Sequence, residues 1–585
     1  MQLRCRRMTG DALADLGDDN GAPPSTPWLP SAAVLRRHGA RVLEPGDGAS
    51  APTVYRAGVL LSTAPASEPP DMLERCNQTL AGTGMRLALS GPSTPSSSSA
   101  SSAASALSAF SDESEMSVGR RHGDGRGPDG PARERAERRR VRAVQLVAAH
   151  GADPESVDAW AALKALRASG HGAHLSLDHL LFGASIGGVP MTEGSPMTEG
   201  SPMTEGSPMT EGSPMTEGSP MTEGSAWRFA GGAGRQPVDL VLPPPRRRTV
   251  AELGDRRPVV AILDTGIAPH EWLDVPAPAG SALPADGFTT VDTELQAMIL
   301  AAQEQLIAAG HSLQRIRDAW ERQIRTGSVA GELDSHTGHG TFIGGLVRQV
   351  APDATVLQIR VMHSDGVVYE SDLLIALDRL ADEVEAAQAG TGGRMIDVVC
   401  LSLGYYLENA ADGSYTIRLQ EHVDRLLAAG VVVVAAAGNH ATSREFYPAA
   451  LACDGELPVM SVGAFQPNDA KAMFSNDGPW VRYWAPGSAL VSTYPKIQGS
   501  RGAAFTTPAG NAGGRPTRRE TLDADDYTRG FASWSGSSFA AGLGAAEVAA
   551  LLLQNAAADP QLRLDQLDAK STTQRALRAL DGFPG

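Results

Sequence analysis

The chain has 585 residues, a formal net charge of −17, and four cysteines. That length admits several domains, and the acidic balance argues against a nucleic-acid binder, which would carry a basic face. Cys5, Cys76, Cys400 and Cys453 are scattered, with no Cys-x-x-Cys pair, which points to buried free thiols rather than structural zinc or a disulfide framework.

Residues 1–45 read as an irregular, disordered N-terminus. Basic residues in MQLRCRRMTG precede no apolar core of signal-peptide length, so the expected location is cytoplasmic, or secreted if the start site is misassigned. Residues 46–186 read as a small α+β block. TVYRAGVLLST (53–63) has strand character, residues 70–84 form a short helix, and MRLALS follows as a second strand. A Ser- and Gly-rich insert, 91–138, has too little apolar content to offset chain entropy and is expected to be disordered. Then come a strand (142–149), a helix (153–169) with Val157, Trp160, Leu163 and Leu166 on one face, and a strand at LSLDHLLFG (175–183). The β-α-β…β-α-β order is the split arrangement of a ferredoxin-like domain. Gly183-Ala184-Ser185-Ile186-Gly187 matches the GxSxG of α/β-hydrolase esterases, but no helix follows it, so no nucleophile elbow forms.

Residues 187–248 read as a flexible acidic linker. PMTEGS occurs six times in tandem across 190–225, without the bulky apolar positions that a repeat fold must bury. The linker ends at PPPRRR (243–248), which reads as extended and exposed.

From residue 249 to 585 the pattern changes. VVAILD (259–264), TVLQIRVM (355–362), IDVVCLSL (396–403) and VVVVAAAGN (431–439) are near-continuous apolar runs separated by amphipathic stretches. Runs buried on both faces indicate a parallel sheet covered by helices, with polar site residues beyond the carboxyl ends of the strands. The Ala-rich run 538–554 contains Glu547 and several glycines, which favours a buried core helix over a membrane span. Two insertions stand out. Residues 291–326 read as two amphipathic helices, 291–310 and 312–325, the first with Leu295, Met298, Ile299, Ala302 and Leu306 on one stripe, forming a lid or docking surface. Residues 497–528 read as a mobile loop.

Four short blocks carry the chemistry. Asp264-Thr265-Gly266 puts a carboxylate at a strand end. His339 precedes Gly340 and Thr341 at the head of a small-residue helix, with His336 three residues earlier, and no HExxH spacing suggests zinc. Asn439 ends the fourth apolar run, with a side-chain amide able to donate to an oxyanion. Ser538, in GSSFAAG, stands at a helix start, where backbone N–H groups point outward.

Asp, His and Ser in that chain order, with these flanking residues, resemble the signature blocks of the subtilisin-like serine peptidases (subtilases, S8-type). The resemblance implies a three-layer α/β fold with a mostly parallel sheet over residues 249–585. It also implies a serine endopeptidase in which Ser538 is the nucleophile, His339 the general base and Asp264 its orienting partner. Asn439 would complete the oxyanion hole, and Ser402, Leu403 and Gly404 would form the substrate-binding edge. The block 46–186 resembles the family's prodomains, partners that assist folding and inhibit until cleaved, and PPPRRR offers an exposed cut. The implied partners are a polypeptide substrate and this block, with neither nucleic acid nor membrane. No cofactor is implied; structural calcium is common in the family, but no acidic loop here marks a site. Ser537, Phe539 and Gly542 replace the family's usual Thr, Met and Pro, and Tyr405 follows Ser402-Leu403-Gly404 where a second Gly is common. These departures keep a second reading open, a catalytically silent binding or regulatory protein.

Overall fold

The computed structural model describes residues 5–7, 30–44, 52–62, 71–88, 142–172, 174–184, 235–308, 310, 311, 313–321, 333–407, 418–452, 455–497, 511, 512, 515, 516 and 527–584. The PMTEGS array, the insert 91–138 and most of the 497–528 loop lie outside the described residues.

Among the described residues, six strands belong to the N-terminal part: β1 (Arg6–Arg7), β2 (Ala40–Leu43), β3 (Thr53–Ser62), β4 (Met85–Ala88), β5 (Arg142–Ala148) and β6 (Leu175–Gly183). The antiparallel order β4-β5-β3-β6 is that of the split β-α-β arrangement, with β2 added on β3. Helices Asp71–Leu80 and Ala159–Ala168 close over it, burying Leu60, Leu80, Trp160, Leu163, Leu166 and Leu177 in one cluster. The second helix starts later than the sequence pattern suggested. Asp158 caps it by accepting from the amides of Trp160 and Ala161, and Val157 stays half-buried outside it.

The N-terminus departs from expectation. Ser31 caps a helix, Ala32–Arg37, which buries Val34, and β1 pairs antiparallel with an edge strand of the C-terminal sheet. Cys5 is fully buried there, its amide donating to Glu547 at 2.9 Å. Cys5, Cys76 and Cys400 are all buried free thiols.

The C-terminal part contributes β7 (Gln236–Pro237), β8 (Val259–Asp264), β9 (Thr289–Val291), β10 (Thr355–Arg360), β11 (Val367–Tyr369), β12 (Val398–Leu401) and β13 (Leu403–Gly404). Then follow β14 (Val432–Ala436), β15 (Met460–Phe465), β16 (Tyr483–Pro486), β17 (Leu490–Thr493), the hairpin β18 (Asn511–Ala512) and β19 (Arg515–Pro516), and β20 (Phe531–Trp534). The main sheet runs β1-β16-β15-β14-β12-β8-β10-β9, parallel from β16 to β9. Its apolar strands are covered by helices that include His339–Val350, Glu370–Gln388, Arg418–Ala428 and Ser537–Ala558, the three-layer α/β arrangement. By length and composition Ser537–Ala558 could cross a membrane, but 72% of its apolar window is buried inside the fold, packed on β12, β14 and β15.

Two boundaries move. Residues 235–248, assigned to the linker, are part of the C-terminal fold: β7 pairs with β20, and the buried Arg235 donates to the carbonyls of Asp334, Ser335 and Thr337. Among its described residues the insertion forms one helix, Thr293–Ala308, that buries Leu295, Ile299 and Leu306 together with Gln296 and Gln303, while Met298 is 41% exposed. The glutamines are accommodated because each is hydrogen-bonded: Gln296 to the backbone of Arg360, Gln303 to Asp372 and the amide of Ile316. The second predicted helix is absent over 313–321, where Trp320 bridges Ile267 in extended pairing; residues 322–326 lie outside the described residues.

Candidate active site

β8 is apolar because both its faces are covered, and it delivers Asp264 fully buried at its carboxyl end. The turn that follows presses against the helix His339–Val350. A side chain on Gly340 would strike the carbonyl oxygen of Gly266, so glycine permits this approach. The imidazole of His339, also fully buried, meets Asp264 through Nδ1 at 2.8 and 2.9 Å from the two carboxylate oxygens. Since a carboxylate only accepts, Nδ1 donates. Nε2 is buried and has no hydrogen-bond partner among the described residues.

Ser538 lies in the first turn of its helix, and Phe539 stacks beside His339 with ring centroids 5.2 Å apart. The Ser538 hydroxyl donates to the carbonyl of Ser402 at 3.1 Å rather than to His339 Nε2. Ser402 Oγ returns a bond to the Ser538 carbonyl at 3.0 Å. Asn439 sits at the end of the chain run that contains β14. Its Oδ1 accepts from the Ser537 amide at 2.9 Å, which fixes the side chain and leaves Nδ2 buried with no partner among the described residues. The structure therefore joins Asp264 to His339, Asn439 to the serine turn and Ser402 to Ser538; His339 and Ser538 are not hydrogen-bonded to each other.

The decisive neighbour comes from the N-terminal block. β6 runs on past its own sheet, with Val367 to Tyr369 of β11 on one side and β13 on the other. Leu403 lies opposite Gly183 and Gly404 opposite Phe182, so the predicted substrate edge is already paired with a strand. The Ala184 amide donates to Ser402 O at 3.0 Å and Gly183 N to Gly366 O at 2.9 Å. The Ala184 carbonyl accepts the Ser538 amide at 2.9 Å.

Three features were missed by the sequence reading. Glu321, buried, accepts from Thr265 Oγ1 at 2.7 Å, Thr341 Oγ1 at 2.6 Å and the Gly338 amide, tying the Asp264 turn to the His339 helix; burial pushes its carboxyl up to about 7. His336 donates through Nε2 to Gly183 O at 3.2 Å, and burial pushes it down to about 3, so it is a neutral ring against the strand. Ala184 itself lay inside a GxSxG match dismissed as an esterase signal; a strand ending just before a spacer was the usable clue. PPPRRR is exposed at Arg246 and Arg248, but the Arg247 side chain is buried against the carbonyls of Pro352 and Ala354. The segment in the site is 182–184 instead.

A family model for the subtilase family (Peptidase_S8) matches residues 255–580, more than half of the chain. The chain belongs to the subtilase family. Among the curated relatives of this subtilase are a thermophilic serine proteinase of Bacillus sp. (strain AK1), 35% identical over 173 residues, 30% of this chain and 36% of that protein. Subtilisin DY of Bacillus licheniformis is 33% identical over 171 residues, 27% of this chain and 54% of that protein. Subtilisin BL of Lederbergia lenta is 32% identical over 185 residues, 29% of this chain and 60% of that protein. The matches thus span about a third to three fifths of these relatives' lengths. A solved structure, described as the crystal structure of a cold adapted subtilisin-like serine proteinase, aligns with a TM-score of 0.31 at 19% identity, covering 53% of this chain and 78% of that one.

Proposed function

We propose that this subtilase is a serine endopeptidase that first cuts its own chain after Ala184. The observation that carries the reading is the Ala184 carbonyl accepting the Ser538 amide at 2.9 Å, just past a strand whose last residues pair with β11 at Phe182 and with β13 at Phe182 and Gly183. A peptide carbonyl on the nucleophile's own N–H is half of an oxyanion hole, and the unused Nδ2 of Asn439 supplies the other donor.

In this scheme the Ser538 hydroxyl turns from Ser402 O toward Nε2 of His339, a rotation between side-chain wells. Nε2 takes the proton while Oγ bonds to the carbonyl carbon of Ala184. Asp264 holds the ring and stabilises its charged form. The same proton passes to the departing amide nitrogen of Ser185, and water then hydrolyses the ester, leaving Ala184 as a carboxylate. No cofactor enters, and the block that ends at Ala184 becomes an inhibitory prodomain-like partner. After its removal the edge Ser402-Leu403-Gly404 accepts other polypeptides.

Mass spectrometry of the purified wild-type chain should give a fragment ending at Ala184, and Ser538→Ala only the intact chain. Equal lengths in both, or a wild-type cut within 243–248, overturn self-cleavage at Ala184. One observation favours the silent-binder alternative: Ser538 Oγ rests on Ser402 O rather than on His339. Stoichiometric fluorophosphonate labelling of Ser538 after processing excludes that alternative, and an unreactive folded protein supports it.

A further inference from the structure

The residues flanking Ala184 act as a ruler for what the site admits. A methyl built on Gly183 would stand 2.6 Å from Cδ2 of His336 and 3.0 Å from Cε of Met362. His336 cannot swing clear. It is 2% exposed, its far side lies against Gly366, whose own added Cβ would stand 2.9 Å from the ring's Cγ, and its Nε2 is tied to Gly183 O. The position before the cut residue is therefore filled by the imidazole.

The next position is shallow too. In an antiparallel pair opposite residues share a face, and alternate residues return to it. Gly404 lies opposite Phe182, so the face toward which a Gly404 side chain would point is also the face of Ala184. That face is occupied by the buried ring of Phe446, whose Cδ1 would stand 2.8 Å from a Cβ on Gly404 and 3.2 Å from one on Gly438, the residue before Asn439. Tyr406 packs on the same ring, with centroids 5.0 Å apart.

We infer that, on the peptidase reading above, this subtilase selects polypeptides with glycine in the penultimate position and a small residue at the cut, His336 and Phe446 being the specificity-determining residues. Its substrates are chains that present Gly-Ala, Gly-Ser or Gly-Gly in extended form, as its own Phe182-Gly183-Ala184 does. Each added side chain at either position meets packed, not open, space, and the expected loss is about ten-fold or more in kcat/KM.

The test uses the processed enzyme on a peptide series with Phe-Gly-Ala, Phe-Ala-Ala, Phe-Leu-Ala and Phe-Gly-Phe before the cut. Phe-Gly-Ala should lead each of the others by about ten-fold or more. His336→Ala should raise Phe-Ala-Ala relative to Phe-Gly-Ala, and Phe446→Gly should raise Phe-Gly-Phe relative to it. In the full chain, Ala184→Phe should block processing and Phe446→Gly should restore it, a readout that does not require either single variant to be active. Cleavage with no preference among the four peptides, or with the larger residues favoured, overturns the specificity inference and leaves the peptidase reading standing. No cleavage of any peptide, with Ser538 unlabelled by fluorophosphonate, removes the peptidase reading and the inference with it.

Discussion

Glu321 makes the stability of this fold depend on pH. Its neighbours are committed: Thr265 Oγ1 already accepts from the Gly340 amide at 2.9 Å and Thr341 Oγ1 from Ala268 N at 3.0 Å, so both hydroxyl protons point at the carboxylate. These donors favour the ionised form, but burial outweighs them and pushes the carboxyl from 4.5 up to about 7. A carboxyl raised on folding contributes stability that is fully present below the unfolded value and is lost as pH rises through the folded one. The window is therefore 4.5 to about 7, and between pH 5 and 8 the loss from this group is roughly 2–3 kcal/mol. In a Ser538→Ala background, which removes self-digestion, urea unfolding at pH 5 and pH 8 should show this loss in the parent. Glu321→Gln cannot ionise and should remove that part of the slope, while every other titrating group cancels in the comparison. Parent and variant with the same pH slope would refute the assignment.

Three further perturbations bear on the site. Asn439→Ala should lower turnover by about 10²–10³ with little change in KM, the scale typical for loss of one oxyanion-hole donor; an unchanged kcat would refute the proposed oxyanion role of Asn439. Gly340→Ala drives a methyl into the Gly266 carbonyl and to 3.2 Å from Asp264 Oδ1, and should cost roughly 1–3 kcal/mol in urea unfolding and lower kcat as well. Asp178→Ala leaves Arg56, 1% exposed, without its carboxylate and frees the Ser371 amide, so the segment 142–184 of the N-terminal block should become sensitive to added trypsin in the Ser538→Ala chain. Parental resistance would show that this buried pair does not hold the block.

The parallel sheet was legible because doubly covered strands write themselves as unbroken apolar runs; each candidate site block was weak alone, and it was their joint order, through the resemblance to one family, that singled them out. Val259 to Asp264 and Val432 to Ala436 sit where such runs belong. What failed was the tertiary exception to a local pattern. SLQRIRDAWERQIR has helical spacing, yet Ile316 and Trp320 gain more by pairing with Gln303 and Ile267 than a further helical turn would provide. Met298 belonged to a plausible stripe, but Gln296 and Gln303 bury in its place because each finds backbone or carboxylate partners that composition cannot reveal. The helix Ala32–Arg37 is six residues long and carries one buried apolar side chain, too little periodicity to read. Glu321 left no trace in the sequence, since one acidic residue in an amphipathic stretch is ordinarily solvated.

β6 has two tasks, and their energies differ. At 182–184 it is held by a few backbone hydrogen bonds, each with a net value of about 0.5–1.5 kcal/mol. A few residues upstream it is held by buried charge: Asp178 to Arg56 and the Ser371 amide, and His179 to Glu370 at 2.6 Å. Breaking one such buried pair costs about 3–5 kcal/mol. On the self-cleavage proposed above, hydrolysis after Ala184 would alter neither set of contacts, so the new carboxyl end would stay on the Ser538 amide until the upstream anchors yield. Cutting and activation are then separate steps. The mass change should precede the appearance of activity toward added peptide, and Asp178→Ala should shorten that interval without changing the rate of the cut. Activity rising in step with the cut would mean that the anchors at 178 and 179 hold nothing.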